Sequence, residues 1–177
     1  MRGADNDRDL ECKRCGTCCR NLIKTDSDGY TLGLALIGDE TALFSQNIVS
    51  PHFAVGLAEP STIISRQLNV SVCPHISGQN HCEIYERRPL VCREFPYSIT
   101  ASGAKASPDC TMIDEQMKAG KRPAMFSRAQ SEACTELSVY FFDMKLKHMP
   151  VGGKMWFFDL RDRAWRLASD DRDAFRR

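Results

Sequence analysis

The chain has 177 residues, 42% of them apolar and 27% charged, which is enough apolar material for a buried core that does not depend on covalent staples. Its formal net charge is +1 and its like charges form no long runs, so bulk electrostatics would contribute little to nucleic acid or an anionic membrane as main partner. No apolar run approaches the roughly eighteen residues of a membrane-spanning helix, and MRGADNDRDLECKRC holds no signal-peptide core, so a soluble, cytoplasmic protein is expected.

Residues 1–11 are polar and charged and are expected to stay disordered up to Cys12. Across 21–37, SDG signals a turn and TLGLALI leads into a strand or helix start. GDETALFSQN, 38–47, predicts a short helix with Asp39 as its N-cap, and Pro51 and Pro60 punctuate the section after it. STIISRQLNVSV, 61–72, is rich in β-branched residues and predicts a strand running into Cys73. Beyond it SGQN supplies a turn, while Pro89 and Pro96 limit CEIYER and PLVCRE to one-turn helices.

YSITASGAKAS predicts a hairpin bending at SGAK, and 111–119 a short helix. From Ser127 to Met149, Ala133, Leu137, Tyr140, Phe141, Met144 and His148 recur at three- and four-residue steps, one apolar face of a helix that Pro150 and Gly152–Gly153 end. KMWFFDLRDRAWRLA, 154–168, reads as a β-hairpin around Leu160–Arg163. The fold class is α+β: one small domain over 12–168, with a loop-rich cysteine-cluster lobe, a C-terminal helix and a β-hairpin, and a frayed tail at 169–177.

The nine cysteines are Cys12, Cys15, Cys18, Cys19, Cys73, Cys82, Cys92, Cys110 and Cys134. An odd count, in a chain expected to reside in a reducing compartment, argues against a disulfide framework and for metal or catalysis. Isolated Cys134 reads as a small buried hydrophobe. The other eight concentrate in CKRCGTCCR and CPHISGQNHCEIYERRPLVCREFP, with Cys110 following. A CxxC turn points two sulfurs at one centre while its backbone amides stabilise the thiolates; zinc ribbons and iron–sulfur proteins both use it.

Neighbouring side chains are expected to diverge, so Cys18 and Cys19 should face two metal positions, or one of them should bridge. Eight thiols then make two four-coordinate sites, or one cluster and a second centre. Lys13, Arg14, Arg20, Arg87, Arg88 and Arg93 are available to offset thiolate charge, or to sit solvated on the surface. His75 and His81 could replace a thiolate as ligand, whereas His52 and His148 read as structural. Tyr85, Phe95 and Tyr97 interleave with the cysteines, as core or as shields against water and oxygen, and of the nearby carboxylates Glu83, Glu86 and Glu94, Glu86 reads as an arginine partner.

These stretches resemble the CxxCxxCC cysteine-cluster proteins, the YkgJ-like family of zinc- or iron-chelating domains. The CxxCxxCC run stands here as Cys12, Cys15, Cys18 and Cys19, and the later CP as Cys73–Pro74. The element C-x-I-Y-x-x-R-P-x-x-C-R-x-F-P stands as Cys82, Ile84, Tyr85, Arg88–Pro89, Cys92–Arg93 and Phe95–Pro96, with Cys110 matching a last cysteine. The resemblance covers 12–110 and implies that the eight cysteines hold zinc or iron, a [4Fe–4S] cluster being one form, with Arg88 and Arg93 as charge partners.

One branch with a similar motif, the flagellin lysine N-methylases, is tied to methyl transfer involving an iron–sulfur cluster, although no glycine-rich nucleotide fingerprint is present here. Two readings therefore stand: a metal-binding module, and an iron–sulfur-dependent enzyme of group or electron transfer, methyltransferase-associated or oxidoreductase. A thiol–disulfide oxidoreductase would place its CxxC on a helix N-terminus in a βαβ unit, and a nucleophilic-cysteine enzyme would need one activated thiol with a base. Neither pattern is seen.

Overall fold

The computed structural model describes residues 14–100, 103–121 and 127–168, so Cys12 and the expected tails at 1–11 and 169–177 lie outside the described residues. A single 3-10 turn over Cys18–Arg20 leads to a short ladder of β1 (Lys24–Thr25) and β2 (Thr31–Leu32). Asp26 makes the turn between them by accepting, through Oδ1, the N–H groups of Asp28 and Tyr30, both at 3.0 Å. After β3 (Ala35–Leu36), a 3-10 helix spans Gly38–Leu43. Its cap is Ile37 rather than the expected Asp39: the Glu40 carboxylate reaches back to the Ile37 N–H at 2.8 Å, leaving Asp39 exposed within the first turn.

β4 (Val49–Gly56) and β5 (Pro60–Leu68) are the long central strands. Pro51 does not end a segment but sits inside β4, where the register slips between Pro51 and Phe53, a bulge that tolerates the missing N–H. The one-turn helices fall between prolines as expected, a 3-10 turn at Tyr85–Arg87 and α1 (Leu90–Glu94). β6 (Tyr97–Thr100) and β7 (Gly103–Ala106) pair as a hairpin with Gly103 opposite Thr100, so Gly103, Ala104 and Lys105 of the expected SGAK bend stand in β7, and Ser102 lies outside the described residues. α2 (Thr111–Lys118), α3 (Arg128–His148), β8 (Lys154–Asp159) and β9 (Ala164–Leu167) complete the α+β fold.

The main sheet is antiparallel in the order β3-β5-β4-β8-β9. Phe53, Val55, Leu36, Leu68 and Phe157 from four of its strands are essentially excluded from water. Each such side chain contributes about 1.5–3 kcal/mol by burial. α3 closes this core. Its N-terminus is fixed by a reciprocal box in which Gln130 N–H donates to Ser127 Oγ at 3.2 Å and Ser127 N–H donates to Gln130 Oε1 at 2.9 Å. Ala133, Cys134, Leu137 and Phe141 form the buried face, Phe141 meets Phe53 edge-on at 6.0 Å, and Tyr140 donates its hydroxyl to the Ile64 carbonyl at 2.8 Å. His148, expected on that face, is exposed on the last turn of the helix.

The buried side chains of Gln67 and Asp159 in the sheet are satisfied from within, whereas Trp156 Nε1 on β8 is buried without a hydrogen-bond partner among the described residues. The Gln67 amide donates to the carbonyls of Pro51 and Phe158, both at 2.7 Å, and accepts the Gly33 N–H at 2.6 Å. Asp159, fully buried, accepts backbone N–H groups from Thr31, Arg161 and Asp162 and the Arg166 guanidinium at 3.1 Å. Burial pushes its carboxyl upward, but those donors outweigh burial and hold it below the ordinary value. Among the described residues no helix is long and apolar enough to cross a membrane.

Candidate metal centre

The two cysteine stretches are joined through the backbone before any side chain is considered. Cys73 N–H donates to the Cys19 carbonyl at 2.8 Å, and Leu22 N–H donates to the Ser71 carbonyl at 2.9 Å, so the first stretch lies along the exit from β5. Gly16 permits the contact. Its φ is +74°, and a Cβ there would stand 2.8 Å from Ile76 Cδ1 and 2.9 Å from Asn80 Oδ1. Asn80 in turn accepts Arg20 Nη2 at 2.7 Å.

The SGQN turn, closed by Asn80 N–H to the Ser77 carbonyl, folds the chain back so that Ile76 bridges Cys82. Cys92 is carried on α1, which Pro89 pre-sets, and Cys110 occupies the N-cap position of α2. Local turns and two short helices thereby bring Cys15, Cys18, Cys19, Cys73, Cys82, Cys92 and Cys110 to the wall of one cavity of about 370 Å³. Cys12 falls outside the described residues. Cys134 is buried under α3 and does not line the cavity.

Cys18 and Cys19 do not diverge. Their Sγ atoms are 3.9 Å apart, because the 3-10 turn rotates successive side chains by far less than an extended strand would. Their thiols titrate as a pair: the hydrogen bond from Cys19 lowers Cys18 to about 7, and Cys19 is pushed up by that same bond, by burial and by the charges of Cys18, Cys92 and Cys73. Burial is also the main cause raising Cys73, reinforced by Cys82 and Cys18. Cys15, at the exposed rim, donates to Thr17 Oγ1 at 3.4 Å and lies 3.5 Å from Thr111 Oγ1; the Thr17 contacts, then Thr111, hold its thiol below the ordinary value. Thr17 and Thr111 were missed in the sequence, though each follows a cysteine within two positions and a hydroxyl so placed can reach the sulfur.

The remaining candidates separate. Arg88 lines the cavity; its Nε donates to the Tyr85 carbonyl at 2.8 Å and its guanidinium stacks 3.7 Å from the Tyr85 ring. Arg14 stands 5.5 Å from the same ring. Arg93 instead leaves the cavity for Glu136 on α3, at 3.8 Å. His75 Nε2 donates to the Leu43 carbonyl at 2.8 Å and the ring packs on Phe44, while His81 is exposed; neither lines the cavity. His52 is buried against Ser65, at 2.9 Å. Tyr85, Phe95 and Tyr97 all line the cavity. So does Glu94, whose buried carboxylate hydrogen-bonds the Cys134 thiol; burial first, then Glu94, raises that thiol to about 12. Lys24 and Asp109, paired with each other at the cavity wall, carry no sequence signal of their own.

The donor chemistry fits a thiophilic ion. A tetrahedral ion with bonds of about 2.3 Å to sulfur holds its sulfurs about 3.8 Å apart, and the Cys18–Cys19 separation of 3.9 Å is such an edge. Among the described residues no three Cys, His, Asp or Glu side chains are yet gathered closely enough to hold an ion, so a complete site requires further thiols to swing inward or Cys12 to join them.

An α+β fold organised around a thiol-lined cavity defines a cysteine-cluster domain. The chain belongs to the CxxCxxCC family, described as "Putative zinc- or iron-chelating domain", which it matches over residues 11–120. The YkgJ-like resemblance agrees with that family. No curated protein and no solved structure matches the chain.

Proposed function

We propose that this is a metal-chelating domain, spanning 12–168, in which Cys15, Cys18, Cys19, Cys73, Cys82, Cys92 and Cys110, together with Cys12, hold zinc or iron. The observation that supports it is the convergence of seven cysteines, from position 15 to position 110, on one cavity. Thiols placed there by chance would scatter over the core as Cys134 does. The cytosol is the compartment in which this role is proposed, since reduced thiols persist there.

A bound ion would give the cysteine thiolates a common centre; the chain supplies the rest. Gly16 brings the two cysteine stretches together, hydrogen bonding lowers the Cys18 and Cys15 thiols, and Arg88 places positive charge in the same cavity. Anaerobic purification followed by elemental analysis tests the proposal. Stoichiometric zinc in a colourless protein supports a closed structural site, and iron with absorbance near roughly 400 nm supports an iron–sulfur cluster. Folded protein without metal, all its cluster thiols open to alkylation, overturns chelation.

The second reading, an iron–sulfur-dependent enzyme of group or electron transfer, is favoured by one observation. At about 370 Å³ the cavity far exceeds a single ion, and it matches the lower end of small-molecule pockets at roughly 300–1,000 Å³.

A further inference from the structure

We propose that the cysteine cavity also binds a small carboxylate, received by Arg88, beside the metal. The inference rests on the chelation proposed above and extends it from the ion to a second ligand of the same cavity.

Arg88 is a half-buried cavity residue held at two points, by the Tyr85 carbonyl on Nε and by the Tyr85 ring under its plane. Both holds leave the terminal Nη atoms unused, and among the described residues no carboxylate pairs with Arg88. A guanidinium oriented and half-desolvated, with its fork open, is preorganised for a planar two-oxygen anion. The other cations at this wall are engaged elsewhere: Lys24 pairs with Asp109, and Arg14 stands 5.5 Å from the Tyr85 ring.

Charge argues for a monoanion. With Lys24 and Asp109 paired, Arg14 and Arg88 share the cavity with Asp26 and Glu94, a balance that one carboxylate disturbs less than a phosphate dianion would. The wall supplies the apolar body such a molecule needs, with Tyr85, Phe95, Tyr97 and Met112. The ligand class is therefore a small carboxylate able to ligate the metal through a second group, such as a thiol.

The test loads the full chain anaerobically with Co²⁺ as a spectroscopic metal, then titrates thioglycolate and, separately, 2-mercaptoethanol, following the cobalt absorption and the cobalt retained after desalting. The two probes share a thiol and differ in the carboxylate. Thioglycolate is expected to bind about tenfold or more tightly than 2-mercaptoethanol, the scale of a charge-assisted pair. Both variants are read with cobalt in excess, so that every chain is loaded whatever the substitution does to cobalt affinity. Arg88→Gln is expected to erase the preference, and Arg88→Lys, which keeps the charge and loses the fork, is expected to lose most of it.

Equal binding of the two thiols by the parent chain overturns the proposal. So does a preference that both cobalt-loaded variants retain. A chain that binds no cobalt overturns chelation itself and this inference with it.

Discussion

The sheet half and the cysteine lobe solve opposite problems. In the sheet, long strands and one long helix bury Phe53, Phe157, Leu68 and Phe141, and the polar groups trapped with them, Gln67, Asp159 and His52, find partners within the same half. In the lobe the elements are a 3-10 turn, a five-residue helix and two-stranded ladders, and the chemistry-bearing groups line a cavity. The sheet half closes on its own side chains, with Trp156 Nε1 left without a partner among the described residues, while the lobe gathers its thiols around a cavity.

Substitutions should separate the two halves. Phe53→Ala removes the aromatic that meets both Phe141 and Phe157 and is expected to cost about 3–5 kcal/mol, read as a fall in urea midpoint. Metal bound per folded molecule should not change, and if it falls in step the halves are not separate. Asp159→Ala orphans three backbone N–H groups and is expected to cost about 2–4 kcal/mol at neutral pH. Because the folded carboxyl titrates below its ordinary value of 3.8, that stability is present above 3.8 and lost as pH falls through the lower folded value; the urea midpoints of parent and variant should converge only in that acid range.

In the lobe, Gly16→Ala forces a β-carbon into a left-handed turn, about 1–2 kcal/mol by backbone strain before any clash with Ile76 and Asn80. Its signature is loss of bound metal out of proportion to loss of stability, and unaltered metal content would break the assignment of Gly16 to the site. The smallest effect belongs to Arg93→Gln. Both partners of the Arg93–Glu136 pair are exposed, so stability should move by no more than about 0.5 kcal/mol and metal content not at all.

Much of this was legible where one residue's local chemistry decides the outcome. The three- and four-residue step of α3, the prolines bounding α1, and the hairpin ending in β9 all follow from local pattern. What escaped depends on partners far along the chain. Pro51 sits inside a strand because a bulge accepts it, and Glu40 caps its helix while also accepting the Leu90 N–H at 2.7 Å. Arg93 turned to α3, which begins thirty-five positions later.

The cysteine stretches announced their chemistry, but the convergence of Cys18 and Cys19 could not be read from adjacency. It depends on the 3-10 turn that the Cys73–Cys19 backbone bond helps to pin. The resemblance to the family located the thiols; only the fold shows which arginine stays with them.

The most direct test of the account counts thiols in the folded chain before and after the metal is removed, by alkylation and mass spectrometry on anaerobically purified protein. The account predicts that Cys12, Cys15, Cys18, Cys19, Cys73, Cys82, Cys92 and Cys110 are protected as a set while metal is present and become reactive together on its removal, with Cys134 unreactive throughout. Protein that is folded, metal-free as purified and already alkylated at those positions would contradict it.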